Sequence, residues 1–367
     1  MNIFRRLPLY RLLLLCAVAL VVGVSATALA SALGSSPKPP AKPLAAALHD
    51  ALSPQPVEGV TASVRLTNHL LEGANLASGG GQAGELASNP LISGASGRLW
   101  IAKDGRVRLE LQAEKGDTQI FYDGKTVSLY DAASNTVYRY TVPAGREGGD
   151  TPGTHPHETP TLAKIEEGIS KLSHHADVSG ATPSDVAGQP TYTVRLSPKE
   201  GGSLLGGAEL SFDSVHGVPL RAAIYSTTSS APVIELAATE ISYGPVADSV
   251  FAFTPPAGAK IEEVSAPTGG GAKPSTPSSH STDKPTITTH GQGPATIAVL
   301  ESKTKAGAKS GQSGALEGLP KVNINGTSAS ELRTALGTIL SFERSGVRYV
   351  LAGSVSPASI EALARGL

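Results

Sequence analysis

One cysteine occurs in 367 residues, and Cys16 lies inside the apolar run Leu12 to Val24. Leu13, Leu14 and Leu15 precede it, so the small residue that a lipid-attachment site needs before its cysteine is absent. Once the leader is set aside no thiol remains. This excludes disulfide staples, thiol catalysis and Cys-type zinc sites, and leaves core burial to stabilise the fold. Aromatic residues are scarce at 4%, with a single tryptophan, which argues against a carbohydrate platform of stacked rings. The formal net charge is -1 and no dense Lys/Arg stripe lies outside the leader. A nucleic-acid partner held by phosphate neutralisation is therefore excluded.

Catalytic signatures are lacking too. Ser, His and Asp are scattered, without a G-x-S-x-G elbow. The glycines from Gly79 to Gly84 have no following lysine and helix to cradle a phosphate. His155-Pro156-His157-Glu158 has a spacing that suits a metal, but no carboxylate cluster accompanies it or His174-His175. Both read as exposed loop histidines, and Glu166-Glu167 as a solvated helix face. Asn325-Gly326-Thr327 matches a glycosylation triplet of a kind that is common by chance. The expectation is a non-enzyme with no catalytic residue, metal or cofactor.

What is present begins with an export signal at 1–33. Arg5, Arg6 and Arg11 precede the apolar run, and Ala28-Leu29-Ala30 or Ala30-Ser31-Ala32 suits a signal peptidase. An uncleaved anchor is the alternative, because small and apolar residues continue to Leu33 and reach the ~20 residues of a spanning helix. Either form places the remainder outside the cytosol, secreted or anchored. Residues 34–43 form a Pro/Lys/Ser tether.

From Gly97 to Val142 apolar residues fall at every second position between Gly, Asp and Asn turns. Leu99 and Ile101 share one face, followed by Val107, Leu109 and Leu111, then Thr118, Ile120 and Tyr122, then Val127 and Leu129. The turns are too short for crossover helices, so the strands are antiparallel. An earlier strand carries Ala62, Val64 and Leu66, and a Gly/Ser/Ala-rich insertion runs from Asn68 to Ser96. Later strands place Tyr192, Val194 and Leu196, then Leu210 with Phe212, then Leu220 to Ser226 and Val233 to Tyr243. A loose loop is expected over 213–217, and a bulge at Ala237-Ala238, where the alternation shifts. Two helices are expected: Leu44–Leu52, with Leu44, Leu48 and Leu52 on one side, and Thr161–His174, with Leu162, Ile165, Ile169 and Leu172 on another.

Residues 265–294 read as a Gly/Pro/Ser/Thr linker. In the tail, 295–300 reads as a strand and 303–314 as a loop. Thr338–Phe342 and Val347–Leu351 form a hairpin around Glu343-Arg344-Ser345-Gly346, and Ser356–Leu367 is a closing helix.

The order of elements ends in Phe251, Phe253, Pro255, Pro256, Gly258 and Ala259, the F-x-F-x-P-P-x-G-A pattern of a final strand. In this the chain resembles the bacterial LolA-like outer-membrane lipoprotein-sorting carriers over 44–264. Related anti-sigma-factor regulators share that fold, and the tail resembles the C-terminal extension of actinobacterial members. The resemblance implies a mainly β fold with α: an unclosed antiparallel half-barrel roofed by helices, plus a small C-terminal α+β extension at 295–367. It also implies a carrier or sensor whose partners are lipid or lipoprotein acyl chains, or alternatively an envelope regulator that acts on a membrane-protein partner. The cavity is then expected to be lined by Val64, Leu66, Leu99, Ile101, Leu109, Leu111, Ile120, Tyr122, Leu129, Val194, Leu210 and Phe212. Leu48, Ile165 and Ile169 would form its lid. A tightly filled core built from the same residues is the competing reading.

Overall fold

A computed structural model describes residues 37–53, 57–72, 90–114, 116–142, 160–264, 286–303 and 319–367. The alternation above becomes a sheet of thirteen strands. Its first half holds β1 (Gly59–Asn68), β2 (Ala95–Ala102), β3 (Val107–Ala113), β4 (Gly116–Tyr122), β5 (Thr126–Asp131) and β6 (Thr136–Thr141). The second half holds β7 (Ala176–Val178), β8 (Thr182–Val186), β9 (Gln189–Pro198), β10 (Leu205–Asp213), β11 (Pro219–Ser226) and β12 (Pro232–Tyr243). The thirteenth strand is β13 (Lys260–Glu263). The order runs β13-β6-β5-β4-β3-β2-β1-β12-β11-β10-β9-β7, with β8 paired to β9, and β13 and β7 are not joined. The sheet is an open half-barrel. All its pairs are antiparallel except β13 with β6.

Register keeps one apolar face unbroken across it. Leu129 pairs with Ile120, Ile120 with Leu109, and Leu109 with Leu99. Leu99 pairs with Ala62, and beside that row Leu66 pairs with Leu236, Leu236 with Ala222, Ala222 with Leu210, and Leu210 with Val194. Curvature comes from unpaired residues. Ser63 pairs with Glu240 but Val64 with Ala238, so Thr239 is the extra residue, close to the bulge expected at Ala237-Ala238. It switches the inward phase from Ile234, Leu236 and Ala238 to Ile241 and Tyr243, which is why the alternation slips there.

Two helices lie against this sheet, α1 (Leu44–Leu52) and α3 (Leu162–Leu172). The Thr161 side chain caps α3 by accepting from the Lys164 N–H. A four-residue helix, α2 (Pro90–Ser93), stands in the expected insertion and packs Leu91 on the buried cluster of Ala62, Val64 and Leu111. The end of the expected tether is docked: Pro39 is buried and the Tyr192 hydroxyl donates to the Pro40 carbonyl at 2.6 Å.

A second sheet of six strands has the order β14-β15-β19-β18-β17-β16. Its strands are β14 (Thr286–His290), β15 (Ile297–Lys303), β16 (Lys321–Ile324), β17 (Thr327–Thr334), β18 (Gly337–Arg344) and β19 (Val347–Gly353). Helix α4 (Pro357–Arg365) buries Ile360 and Ala364 against Val299, Leu340 and Leu351. The sheet touches the first through Leu204 N–H to Ser354 O at 2.7 Å and Ala335 N–H to Leu70 O at 3.0 Å.

Several expectations are corrected. Residues 286–290, expected in the linker, form β14, because a Thr-Ile-Thr-Thr run has β propensity that a Gly/Pro-biased window hides. Asn325-Gly326 is the turn between β16 and β17, with φ of 50° and 84°. Strands β7, β8, β16 and β17 were not expected. The segment expected as a final strand contains a 3-10 helix, Asp248–Phe251, followed by extended chain that stacks Phe253 on Phe121 at 4.2 Å. The supposed loose loop at 213–217 is pinned, since the Asp213 carboxylate accepts the Val215 and His216 N–H groups at 2.7 Å each. The leader, His155, His157 and residues 304–318 lie outside the described residues.

That pinned turn also seats α1. Gly217 has φ +68°, and a Cβ there would meet the Ala51 carbonyl at 2.1 Å. Gly217→Ala is expected to lower stability by about 2 kcal/mol or more, through a disfavoured φ and a backbone clash together. Urea unfolding of variant and parent checks it, with Gly105→Ala, which meets no neighbour, as the comparison for φ alone.

Candidate functional site: an apolar cavity under two helices

Between α1, α3 and the concave face of β9–β12 lies a cavity of about 500 Å³, within the usual range for small-ligand sites. Its floor is Val194, Leu196, Ala208, Leu210, Phe212, Ala222, Ile224, Ile234 and Leu236. Leu44 and Leu48 enter from α1, and Ile169 and Leu172 from α3. Among the lining residues Leu172 is 43% exposed and Leu210 42%.

Glu209 is the one ionisable residue lining it, and its carboxylate is turned to the outer face. There it accepts from Arg221 at 2.8 Å, from the Tyr225 hydroxyl at 2.7 Å and from Arg195 at 3.0 Å. Burial alone would raise the Glu209 carboxyl, but Arg221, Tyr225 and Arg195 hold it below the ordinary carboxylate value. This ion network fastens β9, β10 and β11 from behind and leaves the cavity wall apolar.

Both helices over the cavity are anchored. Ala47 packs on Tyr192 and Phe212, and Lys42 pairs with Asp50 at 2.7 Å across α1. Asp213, fully buried, accepts from the Tyr243 hydroxyl at 2.7 Å, and the His216 ring lies tilted against Tyr243 with centres 4.0 Å apart. Burial would raise Asp213 too, yet the His216 N–H, Tyr243 and the Val215 N–H hold it low. Helix α3 buries Ile165, while Leu162 is left 44% exposed.

Among the expected site residues, the cavity brings together Leu48, Ile169, Val194, Leu210 and Phe212. Val64 and Leu99 line a separate hollow of about 100 Å³ with Leu220 and Ile241. Leu66, Leu109 and Leu91 pack on the buried Ala62, Val64 and Leu111, so apart from that small hollow this half of the face is core. Ile101, Ile120 and Leu129 lie along the same face outside either space, each partly exposed. Tyr122 borders an outer hollow beside Phe121, Phe251 and Phe253, and its hydroxyl donates to Gly124 O at 3.0 Å. Ile165, expected in the lid, is buried under α3 and does not line the cavity. Sequence reading missed Leu44, Leu172, Leu196, Ala208, Ala222, Ile224, Ile234 and Leu236 as lining. Their in-phase positions on strands and helices already recognised were the available signal.

Among the described residues no group of three or more His, Cys, Asp or Glu side chains is placed to hold a metal. No helix among them is long and apolar enough to cross a membrane.

Residues 86–147 match a family described as predicted periplasmic protein (DUF2092). No curated protein matches the sequence. Among solved structures the chain is similar to one in the Pseudomonas aeruginosa MucA/MucB complex, at 14% identity over 88% of this chain and 96% of that one, with a TM-score of 0.43. It is also similar to a putative outer membrane lipoprotein-sorting protein domain from Vibrio parahaemolyticus, at 12% identity over 57% of this chain and 95% of that one, with a TM-score of 0.25. The Mycobacterium tuberculosis lipoprotein LppX is similar at 13% identity over 56% of this chain and 97% of that one, with a TM-score of 0.27. These likenesses are partial ones of shape, and no residue role passes from those proteins to this chain.

The two carboxylates held low make stability acid-sensitive. A group whose folded pKa lies below its unfolded one contributes stability above the unfolded value and loses it as pH falls through the folded value. The ordinary values are 3.8 for Asp213 and 4.5 for Glu209, so the urea midpoint is expected to hold from neutrality to that range and fall below it. Asp213→Asn is expected to flatten the fall while lowering the midpoint at neutral pH.

Proposed function

We propose that this chain is an extracytoplasmic, non-enzymatic carrier or sensor that binds the hydrocarbon chain of a lipid or lipoprotein between α1, α3 and the β9–β12 face. The apolar cavity of about 500 Å³, whose one ionisable lining residue turns its charge outward, carries the reading. Transfer of hydrocarbon into such a space is worth about 0.8 kcal/mol per methylene, so binding strengthens with chain length without a polar anchor. The export signal supports placement outside the cytosol. A second reading, contact with an envelope protein, is supported by β14, an edge strand whose five residues are all exposed, Ile287 at 69%, and which is open to strand addition.

Displacement of a fluorescent fatty acid tests the first reading. The parent is expected to bind the probe saturably and release it to unlabelled palmitate. Ala222→Trp, which places an indole in the cavity, is expected to weaken binding at least tenfold while far-UV circular dichroism is unchanged. If the parent does not bind the probe, or the variant binds it equally well, the cavity is not a lipid site and the protein-contact reading takes its place.

A further inference from the structure

The face of the sheet opposite the cavity folds into a groove of about 970 Å³ over β1, β2, β3 and the end of β12. Small residues, Ser63, Ser96 and Gly97, make it deep. A Cβ on Gly97 would lie 1.8 Å from the Glu110 carbonyl, so β2 and β3 approach here more closely than any side chain permits. Three guanidinium groups, Arg65, Arg98 and Arg108, stand in the groove against two carboxylates, Glu110 and Glu240.

These charges are not evenly matched. Arg108 is occupied: it donates to the Val250 carbonyl at 2.7 Å and to Glu110, and it lies 5.8 Å from the ring centre of Trp100. Glu240 accepts from the Ser63 hydroxyl at 3.2 Å. Arg65 and Arg98 are exposed, and neither has a hydrogen-bond or ion-pair partner among the described residues. Register sets them together. Arg65 pairs with Ser96 and Ser63 with Arg98, so the two arginines are diagonal neighbours on one face of one strand pair. Diagonal neighbours stand on the order of 7 Å apart, within mutual reach of long side chains. Two unpaired like charges at that spacing repel, and a dianion between them removes the repulsion, while Glu240 stays on the Ser63 hydroxyl on the far side of the groove. Phosphate suits guanidinium geometry, since each fork can give parallel N–H donors to its oxygens. The Ser96 hydroxyl, unpartnered among the described residues, lies on the same groove wall as a further donor.

We infer that this outer groove binds a phosphate group, held by Arg65 and Arg98 with Ser96 as an added donor. The ligand class is a phosphate ester, whether free in solution or borne by a lipid headgroup. The site is on the opposite face from the hydrocarbon cavity and does not depend on it.

Trp100 makes the test direct, because it is the only tryptophan in the chain and lines the groove. The full chain is titrated with inorganic phosphate at constant ionic strength while indole emission is followed. Sodium chloride and acetate serve as controls for charge alone. A saturable change with phosphate but not with the controls is expected, with a midpoint raised about tenfold in Arg65→Gln and in Arg98→Gln. Lys103→Gln, an exposed cation outside the groove, should leave the midpoint in place. Glycerol 3-phosphate and monomeric dihexanoyl phosphatidic acid then separate the sources. Equal midpoints assign a free phosphate ester, and a lipid midpoint at least tenfold lower assigns a headgroup. No saturable response, an equal response to acetate, or an unchanged midpoint in the double Arg65→Gln/Arg98→Gln variant overturns the inference.

Discussion

Cross-strand register in an open, antiparallel sheet is the constraint on which the rest of this protein depends. A strand's side chains alternate between faces, so a slip of one residue would turn a whole strand's leucines outward. From Leu129 to Val194 the pairing places aliphatic residues opposite one another at nearly every step, and bulges such as that at Thr239 restore the phase where the sheet bends. Because the edges at β13 and β7 do not pair, the curved face stays open and has to be covered by something other than itself.

The two halves of that face are covered differently. Under β1–β4, Leu91 of α2 packs on Ala62, Val64 and the fully buried Leu111, and a hollow of about 100 Å³ is left beside Val64 and Leu99. Under β9–β12, α1 and α3 bridge the curvature at their apolar edges without filling it. Cavities of that size cost stability unless occupied, and here the cost is offset from behind. Glu209, Arg195, Arg221 and Tyr225 cross-link the strands on the outer face, and the Asp213–Tyr243 bond holds the turn on which α1 rests. Polar strength on one face thus supports apolar emptiness on the other.

Much of the first sheet was legible in the sequence, because period-2 alternation between tight turns admits few alternatives. The strands of the meander, both lid helices and even the bulge could be read from phase. Short elements were not legible. Lys321–Ile324 and Ala176–Val178 are too brief to show a period, and Thr286–His290 is masked by the Gly/Pro-rich composition before it. The Phe251 to Ala259 pattern was recognised, but its conformation was not. The 3-10 turn Asp248–Phe251 and the stacking of Phe253 on Phe121 are tertiary features that the local pattern does not carry.

By itself the sequence determined which residues share a face, that the strands run antiparallel, and that a chain without thiols must rely on burial. Local alternation and turn chemistry decide those matters within a few residues of one another. Only the tertiary structure decided where the face is filled and where it is empty. That outcome depends on how α1, α2 and α3, far apart in the chain, are seated by contacts such as Gly217 against Ala51 and Tyr192 on Pro40. It also placed Arg65 and Arg98 side by side, since two residues 33 positions apart become neighbours only through strand register.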